Sequence, residues 1–358
     1  MTSDTALAAP TAGAGGHPMR FTVDGWDPSY GASLELEDYL QESTANVQVD
    51  LEVPAGRWHA IDPRANLPVP GAMLFVDGVR RIEAQVWIDD AADAGRATQA
   101  TAALCASYAA GVVCCCGRQA HLVTAQIRRG LFSVAPHASD IVTRAGRYQA
   151  HHVAAGTAGV PLMARLSQAL QARLADVEKL AAEAARSATG DHGRAAEDDL
   201  LIIDGPLRGR QHLPRALGYI KSHRTTYLPP DLNALVGTLV PGQRTPVFLA
   251  GTNWDRHTWY LRLPGAAGPA AAPWAGIVRI ECSADLPASE VIGLAGLSQV
   301  CLGRFASAEY KDTRAPQNLY PIAGLERELR RRLGDQRLLY RALRLTAQAA
   351  RAEPSGHG

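Results

Sequence analysis

The order of the periodic segments between residues 73 and 203 constrains the fold more than any other feature of the sequence. Three closely spaced strand-like segments come first, with short polar or glycine-containing breaks between them, as is typical of an antiparallel meander. They cover residues 73–87, 103–116 and 121–132. Leucines and a valine then recur every three or four residues over 161–186, which predicts an amphipathic helix of about seven turns. The all-apolar residues 200–203 predict a buried central strand.

The second half of the chain continues with mixed elements. Strands are predicted at residues 216–220, 246–250, 258–263 and 276–281, and helical stretches at 288–297 and 324–347. No repeat of 20 to 50 residues is visible. The whole pattern therefore predicts an α/β domain over residues 67–350, with a mixed sheet and flanking helices.

The N-terminal residues differ from this domain. Residues 19–66 carry scattered hydrophobic positions and are predicted to form an extension packed on the domain. Within the extension, Val47, Val49, Leu51 and Val53 alternate at period two, as in a half-buried strand. Residues 1–18 and 351–358 are rich in small and polar residues without periodicity, and we expect both to be disordered tails.

Composition excludes several classes of protein. Among the 358 residues, 36 basic and 35 acidic side chains give a net charge of +1, so any nucleic-acid site must be a local basic patch. Three of the six cysteines are adjacent, at 114–116, which suits neither a disulfide framework nor paired zinc-ligand spacing. We interpret them as small buried strand residues in a reduced, cytoplasmic protein. No transmembrane segment or secretory signal is predicted.

Two aspartates stand out as candidates for chemistry, since the common nucleotide-binding and hydrolase motifs are absent from the sequence. An apolar run leads directly into Asp77-Gly78, and a second one into Asp204-Gly205. A single such aspartate is commonly a turn residue. Two of them at the ends of adjacent strands would place like charges side by side, unless a cation lies between them. The sequence therefore predicts a divalent metal site.

The predicted helix at 161–186 offers a third ligand. Glu178 follows Val177 at the edge of the apolar stripe. Asp176 and Glu183 are rival candidates, and each of these two could equally be a solvated surface charge. Oxygen ligands alone favour Mg²⁺ or Mn²⁺ over Zn²⁺.

Basic residues after the central strands are candidates for holding a phosphate backbone. Lys221 and Arg224 follow the strand predicted at 216–220, and Arg279 lies within the one predicted at 276–281. For Lys221 the alternative is a surface charge at a strand end. For Arg279 the alternative is an ion pair with Glu281, because residues i and i+2 of a strand share a face.

These motifs, taken in order, resemble the NurA nuclease family. The resemblance runs from about Leu74 to Leu333. It rests on FVDGVRR (75–81), Glu178 on a helix, IIDGPL (202–207), GYIKS (218–222), RIE (279–281) and LYP (319–321). It implies an RNase H-like core and a Mn²⁺- or Mg²⁺-dependent nuclease acting on DNA ends. It also implies a homodimer that works with a hexameric, DNA-translocating HerA-type ATPase.

The resemblance assigns roles to particular residues. Asp77 and Asp204 correspond to the family's two strand aspartates, Glu178 to its helical glutamate and Lys221 to the lysine after the next strand. The family's histidine after the Tyr-Pro motif is missing here, so Glu326 or Glu328 is expected to substitute, and we choose Glu328 as the fourth metal ligand. The expected function is DNA end processing in repair or phage defence. The alternative is a non-catalytic module that holds DNA or docks on the ATPase.

The N-terminal segment is a further candidate for partner binding. Its aromatic residues Phe21, Trp26, Tyr30 and Tyr39 lie outside the motif-bearing region. They are expected either to contact the ATPase or the second subunit, or simply to cover the core.

Overall fold

The structure is a computed structural model, and it describes most of the chain. The described residues are 21–23, 41–42, 46–89, 100–117, 119–154, 160–187, 198–221, 225–251, 254–265, 274–308, 310–311 and 315–352. Both predicted tails lie outside these residues, except Arg351 and Ala352, which belong to the last helix. Arg224, Trp26, Tyr30 and Tyr39 also lie outside them.

Fourteen strands are present in the described part of the chain. In chain order they are β1 (Phe21–Val23), β2 (Gln41–Glu42), β3 (Asn46–Gln48), β4 (Ala72–Asp89), β5 (Ala100–Cys116), β6 (Gln119–Ser133), β7 (Ile141–Thr143), β8 (Gly146–His152), β9 (Asp199–Asp204), β10 (Ala216–Ile220), β11 (Thr225–Thr226), β12 (Phe248–Gly251), β13 (Asp255–Arg262) and β14 (Ile277–Ser283). Twelve of them form one sheet in the order β3-β12-β13-β14-β10-β9-β4-β5-β6-β8-β7, with β1 paired to β4. β2 and β11 form a separate pair.

The sheet is mixed, as the sequence predicted. β4, β5 and β6 form the antiparallel meander, whereas β9 runs parallel to β4 and β10 runs parallel to β9. Beyond β10 the strands β14, β13 and β12 are antiparallel again. The centre of the sheet is therefore a parallel group of three strands, β4, β9 and β10.

Helices cover both faces of this sheet. They are α1 (Leu162–Ser187), α2 (Pro230–Thr238), α3 (Ala288–Leu302), α4 (Tyr320–Arg332) and α5 (Gln336–Ala352). The apolar stripe of α1 packs with Leu74 and Val76 of β4. α3 and the start of α4 pack on the opposite face, with Met73 and Phe75. Since successive strand residues point to opposite faces, each face of β4 has its own core.

The predicted elements are found, with some differences. The helical stretch predicted at 324–347 is two helices, because the chain turns at Gly334, whose φ is +88°. The strand predicted from Val47 to Val53 is limited to β3, and the residues after it bend away. The short elements β7, β8 and α2 were not predicted. Their apolar residues are too few to give a clear period.

The extension contributes to the same sheet. β3 pairs with the edge strand β12, and β1 pairs with the far end of β4. The Glu52 carboxylate accepts two hydrogen bonds of 2.7 Å from the guanidinium of Arg244, and one of 2.8 Å from the backbone N–H of Val247. Arg244 is buried, so this contact anchors residues near Glu52 to the rest of the domain.

None of the helices among the described residues is both long enough and apolar enough to span a bilayer.

Candidate metal centre

The two aspartates lie next to each other at the centre of the sheet. β4 and β9 are parallel, and their register pairs Val76 with Ile203, so Asp77 and Asp204 occupy the next position on each strand. Alternation places both side chains on the face that carries Met73 and Phe75 on β4. β9 ends at Asp204, but β4 continues to Asp89 along β5, so Asp77 does not end its strand as the apolar run suggested.

A third carboxylate comes from α4. One carboxylate oxygen from each of Asp77, Asp204 and Glu326 lies within 4.8 Å of the other two. Ile322 and Leu325 of α4 pack on this face of the sheet. Because Glu326 follows Ile322 by four residues, it shares the sheet-facing side of the helix. The tertiary structure thus brings together two strands and a helix at one group of acidic side chains.

The environment of Asp77 disfavours its charge. The residue is 7% exposed. Its Oδ1 accepts a hydrogen bond of 2.7 Å from the backbone N–H of Gly78, whereas its buried Oδ2 has no hydrogen-bond partner. Burial first, and then the charges of Asp204 and Glu326, raise the pKa of Asp77 well above its usual range. A buried carboxylate with an unpartnered oxygen, beside two further carboxylates, fits a divalent cation.

Lys221 supplies positive charge to this group. It follows β10 on the same face of the sheet, and its Nζ donates hydrogen bonds to Asp204 Oδ2 at 2.6 Å and to Asn318 Oδ1 at 3.1 Å. Its charge lowers the pKa of Asp77, but less than burial and the two other carboxylates raise it. One ammonium group therefore offsets only part of the negative charge.

The segment before α4 is fixed to the sheet. The buried Tyr219 hydroxyl donates a hydrogen bond of 2.7 Å to the backbone carbonyl of Gln317. The Gln317 side-chain amide donates one of 3.0 Å to the carbonyl of Ile277. These contacts tie the start of α4 to β10 and β14, and so they hold Glu326 at a set distance from the aspartates.

Glu178 approaches from the other side of β4. A Cβ at position 78 would clash with Glu178 Oε1, so the carboxylate packs directly over Gly78. Gly78 belongs to the α1 face of β4, opposite the face of Asp77. The Glu178 carboxylate is buried and forms an ion pair with Arg210. Burial raises the pKa of Glu178 and Arg210 lowers it, with a net rise. Glu178 is not in the group of three, and its role as a ligand stays a prediction.

The rival residues on α1 are surface charges. Asp176 pairs with Arg173 at 3.3 Å, and its side chain is 62% exposed. Glu183 lies 3.1 Å from His212 Nε2 and 3.9 Å from Lys179 Nζ. Neither belongs to the three-carboxylate group.

Glu328, the glutamate of α4 predicted as the fourth ligand, lies outside the three-carboxylate group, and its role as a ligand stays a prediction. It lies six residues after Ile322, which places it about 120° around the helix from the sheet-facing side. There it pairs with Arg331 at 2.8 Å and with Arg332 at 2.7 Å. Hydrogen bonds from these two arginines lower the pKa of Glu328 to about 2. Glu326, two residues earlier, takes its place beside the aspartates.

Arg279 is also placed differently from the DNA-binding prediction. It is buried in β14, with Nη1 2.9 Å from Glu281 Oε2 and its guanidinium over the ring of Tyr227. The alternative pairing with Glu281 is therefore the one observed. Glu281 also accepts a hydrogen bond of 2.7 Å from the backbone N–H of Leu207, just after Asp204. Arg279 thus helps to hold the loop that follows β9. Arg224 is outside the described residues.

Two contributors to the site were missed in the sequence. Arg210 and Asn318 lie in loops without periodicity, so nothing in the pattern marks them. For Glu326 a signal was available, namely its spacing of four from an apolar residue on a helix whose other positions are rich in arginine.

Comparisons with known proteins find a structural likeness but no sequence relative. No protein-family model matches the sequence. No curated protein matches it either. The fold is similar to the crystal structure of the NurA nuclease from Sulfolobus solfataricus, with a TM-score of 0.40 and 9% sequence identity over 84% of this chain and 89% of that one.

Proposed function

We propose that this protein is a divalent-metal-dependent nuclease that hydrolyses phosphodiester bonds in DNA. The observation that carries the proposal is the group formed by Asp77, Asp204 and Glu326, together with the buried and unpartnered Oδ2 of Asp77. Their oxygens would hold Mn²⁺ or Mg²⁺. A cation bound there would lower the pKa of a water molecule and stabilise the leaving oxygen of an in-line displacement.

The remaining residues of the site position the metal ligands and offset part of their negative charge. Lys221 is held by Asp204 and Asn318, and its side chain is 23% exposed, so it can offer charge to a phosphate beside the carboxylates. Glu178 and Arg210 pack behind Gly78 and support β4 from its other face. In this proposal Asp77, Asp204 and Glu326 bind the metal, Lys221 contacts the substrate, and Glu178 acts through the position of β4.

Two further features support the proposal that the protein is a nuclease. The meander β4-β5-β6, the crossing helix α1 and the parallel strands β9 and β10 are consistent with an RNase H-like core. The order of the motifs resembles the NurA family. We extend the proposal to a cytoplasmic homodimer that acts on DNA ends with a HerA-type hexameric ATPase, in repair or phage defence. A net charge of +1 gives the protein little long-range attraction for DNA, so delivery by a translocating ring fits the site.

The decisive experiment is digestion of linear DNA by the full chain, with Mn²⁺, with Mg²⁺ and with EDTA. The proposal expects cleavage that requires the metal and is lost in Asp77→Asn and in Asp204→Asn. Asp176→Asn is the matched control, because it removes an exposed carboxylate of α1 outside the group. It should cleave as the wild type does.

Other outcomes of this experiment would indicate a different function or a different active site. A folded wild-type protein that binds DNA without cleaving it under any metal condition would instead be the non-catalytic module. Cleavage that persists in both aspartate variants would move the active site away from this group. The partner is tested separately, by co-purification with a HerA-type ATPase and by the mass of the protein in solution. If the protein does not co-purify with the ATPase, or is not a dimer in solution, only that part of the proposal is wrong. The nuclease proposal is unaffected.

A further inference from the structure

A second cluster of potential metal ligands lies at the tip of the β5-β6 hairpin. The Sγ atoms of Cys114 and Cys116 and one ring nitrogen of His121 all lie within 4.8 Å of one another. Cys116 Sγ is 4.0 Å from His121 Nδ1. None of these residues takes part in the carboxylate site.

The register of the hairpin creates this cluster. Cys114 and Cys116 are two residues apart on β5 and so share a face, and His121 is the direct cross-strand partner of Cys114. The register of β6 shifts by one residue between Val112 and Val113 of β5. Such a bulge changes the direction in which the side chains after it point. Two ligands therefore come from one strand and the third from its neighbour.

The cluster is on the opposite face of the sheet from the carboxylates. Cys114 packs with Leu74, Val76 and the α1 stripe, whereas Asp77 and Asp204 face α4. Cys115 points to the other face, where it packs with the core under α3. Alternation along β5 thus places Cys115 on one face of the sheet and Cys114 and Cys116 on the other.

We propose that Cys114, Cys116 and His121 form a binding site for a thiophilic divalent cation of the Zn²⁺ class. Two thiolates and an imidazole are the donors that such ions prefer, while the carboxylate group suits harder ions. Neighbouring ligands in a tetrahedral zinc site lie about 3.3–3.8 Å apart, so the observed spacing needs only small side-chain rotations. Three protein ligands leave one position for water.

The burial of the ligands fits this assignment. Cys114 is 7% exposed, and Cys116 and His121 are half-buried. An ion can therefore enter from the hairpin tip. Once bound, it would join β5 to β6 near their connecting turn and stabilise the end of the meander that carries β4.

The test uses the reduced full chain and Co²⁺ as the probe. Cobalt bound to thiolates gives a ligand-to-metal absorption band in the near ultraviolet that carboxylate-bound cobalt does not give, so the two sites are separated by their spectra. We expect one thiolate-bound cobalt per chain, displaced by one equivalent of Zn²⁺. Cys116→Ser and His121→Gln, both at half-buried positions, should lose most of the band.

Cys115→Ser is the matched control, since it removes a thiol from the same run on the other face, and it should keep the band. Asp77→Asn should keep it as well. The absence of a thiolate band in the reduced wild type would overturn the proposal, whatever the variants do. The same holds if Cys115→Ser loses the band as fully as Cys116→Ser, with both variants folded by circular dichroism.

Discussion

Replacing Asp77 with asparagine should stabilise the protein in the absence of metal. The aspartate is buried, its Oδ2 has no partner, and two further carboxylates lie within 4.8 Å. Asparagine keeps the shape, removes the charge, and turns that position into an amide that can donate to Asp204 or Glu326. The perturbation thus removes a repulsive charge and adds a hydrogen-bond donor.

The expected gain follows from the cost of an unsatisfied buried polar group, about 1–3 kcal/mol. An unfolding entropy of about 2.1 cal/mol/K per residue over 358 residues converts this to a rise in Tm of about 1–4 °C. The folded-state pKa of Asp77 lies above its unfolded value. The advantage of the variant should therefore be small below about pH 3.9, grow as the pH rises towards the folded-state pKa, and stay constant above it.

Metal should offset this gain in the Tm of the variant over that of the wild type. Mn²⁺ at about 100 times its Kd would stabilise the wild type by about 2.7 kcal/mol, and Asp77→Asn by much less. The assay is thermal unfolding of both proteins, and of Asp176→Asn as control, with EDTA and with Mn²⁺ at several pH values. The reasoning is refuted if Asp77→Asn melts below the wild type in EDTA, or if Mn²⁺ raises the Tm of both equally.

Three further predictions follow from the site. Glu326→Gln should abolish metal-dependent cleavage while Glu328→Gln leaves it unchanged; the reverse result in the DNA digestion assay would restore Glu328 as the ligand. Arg210→Met should lower the free energy of unfolding at neutral pH by about 3–5 kcal/mol, because it strands a buried carboxylate. Glu178→Gln in the same protein should recover most of that loss, and urea unfolding that shows no recovery would contradict the pairing. Lys221→Met should destabilise the metal-free protein by about 1–3 kcal/mol, and less at acidic pH where the carboxyls are protonated, as urea titrations at two pH values would detect.

Much of the fold followed from the sequence because its long elements bury continuous apolar surface. The stripe on α1 and the runs in β4, β5 and β9 have periods that only one type of element satisfies, and the structure has each of them within a few residues of its predicted ends. Short elements such as β7, β8 and α2 depend on contacts with neighbouring elements for their stability. The sequence pattern does not show which elements those neighbours are. The break between α4 and α5 was also missed, although Gly334 marks it.

For the candidate site, the sequence pointed to Asp77 and Asp204 because a charge at the end of an apolar run is costly without a partner. It could not decide which glutamate completes the group. Glu178 and Glu326 both sit beside apolar residues on helices, and only the packing of α1 and α4 on opposite faces of β4 separates them.

The cysteine run shows the same limit. As a sequence, residues 114–116 indicate no more than a buried strand. Only the pairing of β5 with β6 brings His121 to Cys114 and Cys116, while strand alternation turns Cys115 away. Local periodicity can be read directly from the sequence. The distance between side chains on different elements is set by strand register and packing, which arise only when the sheet assembles.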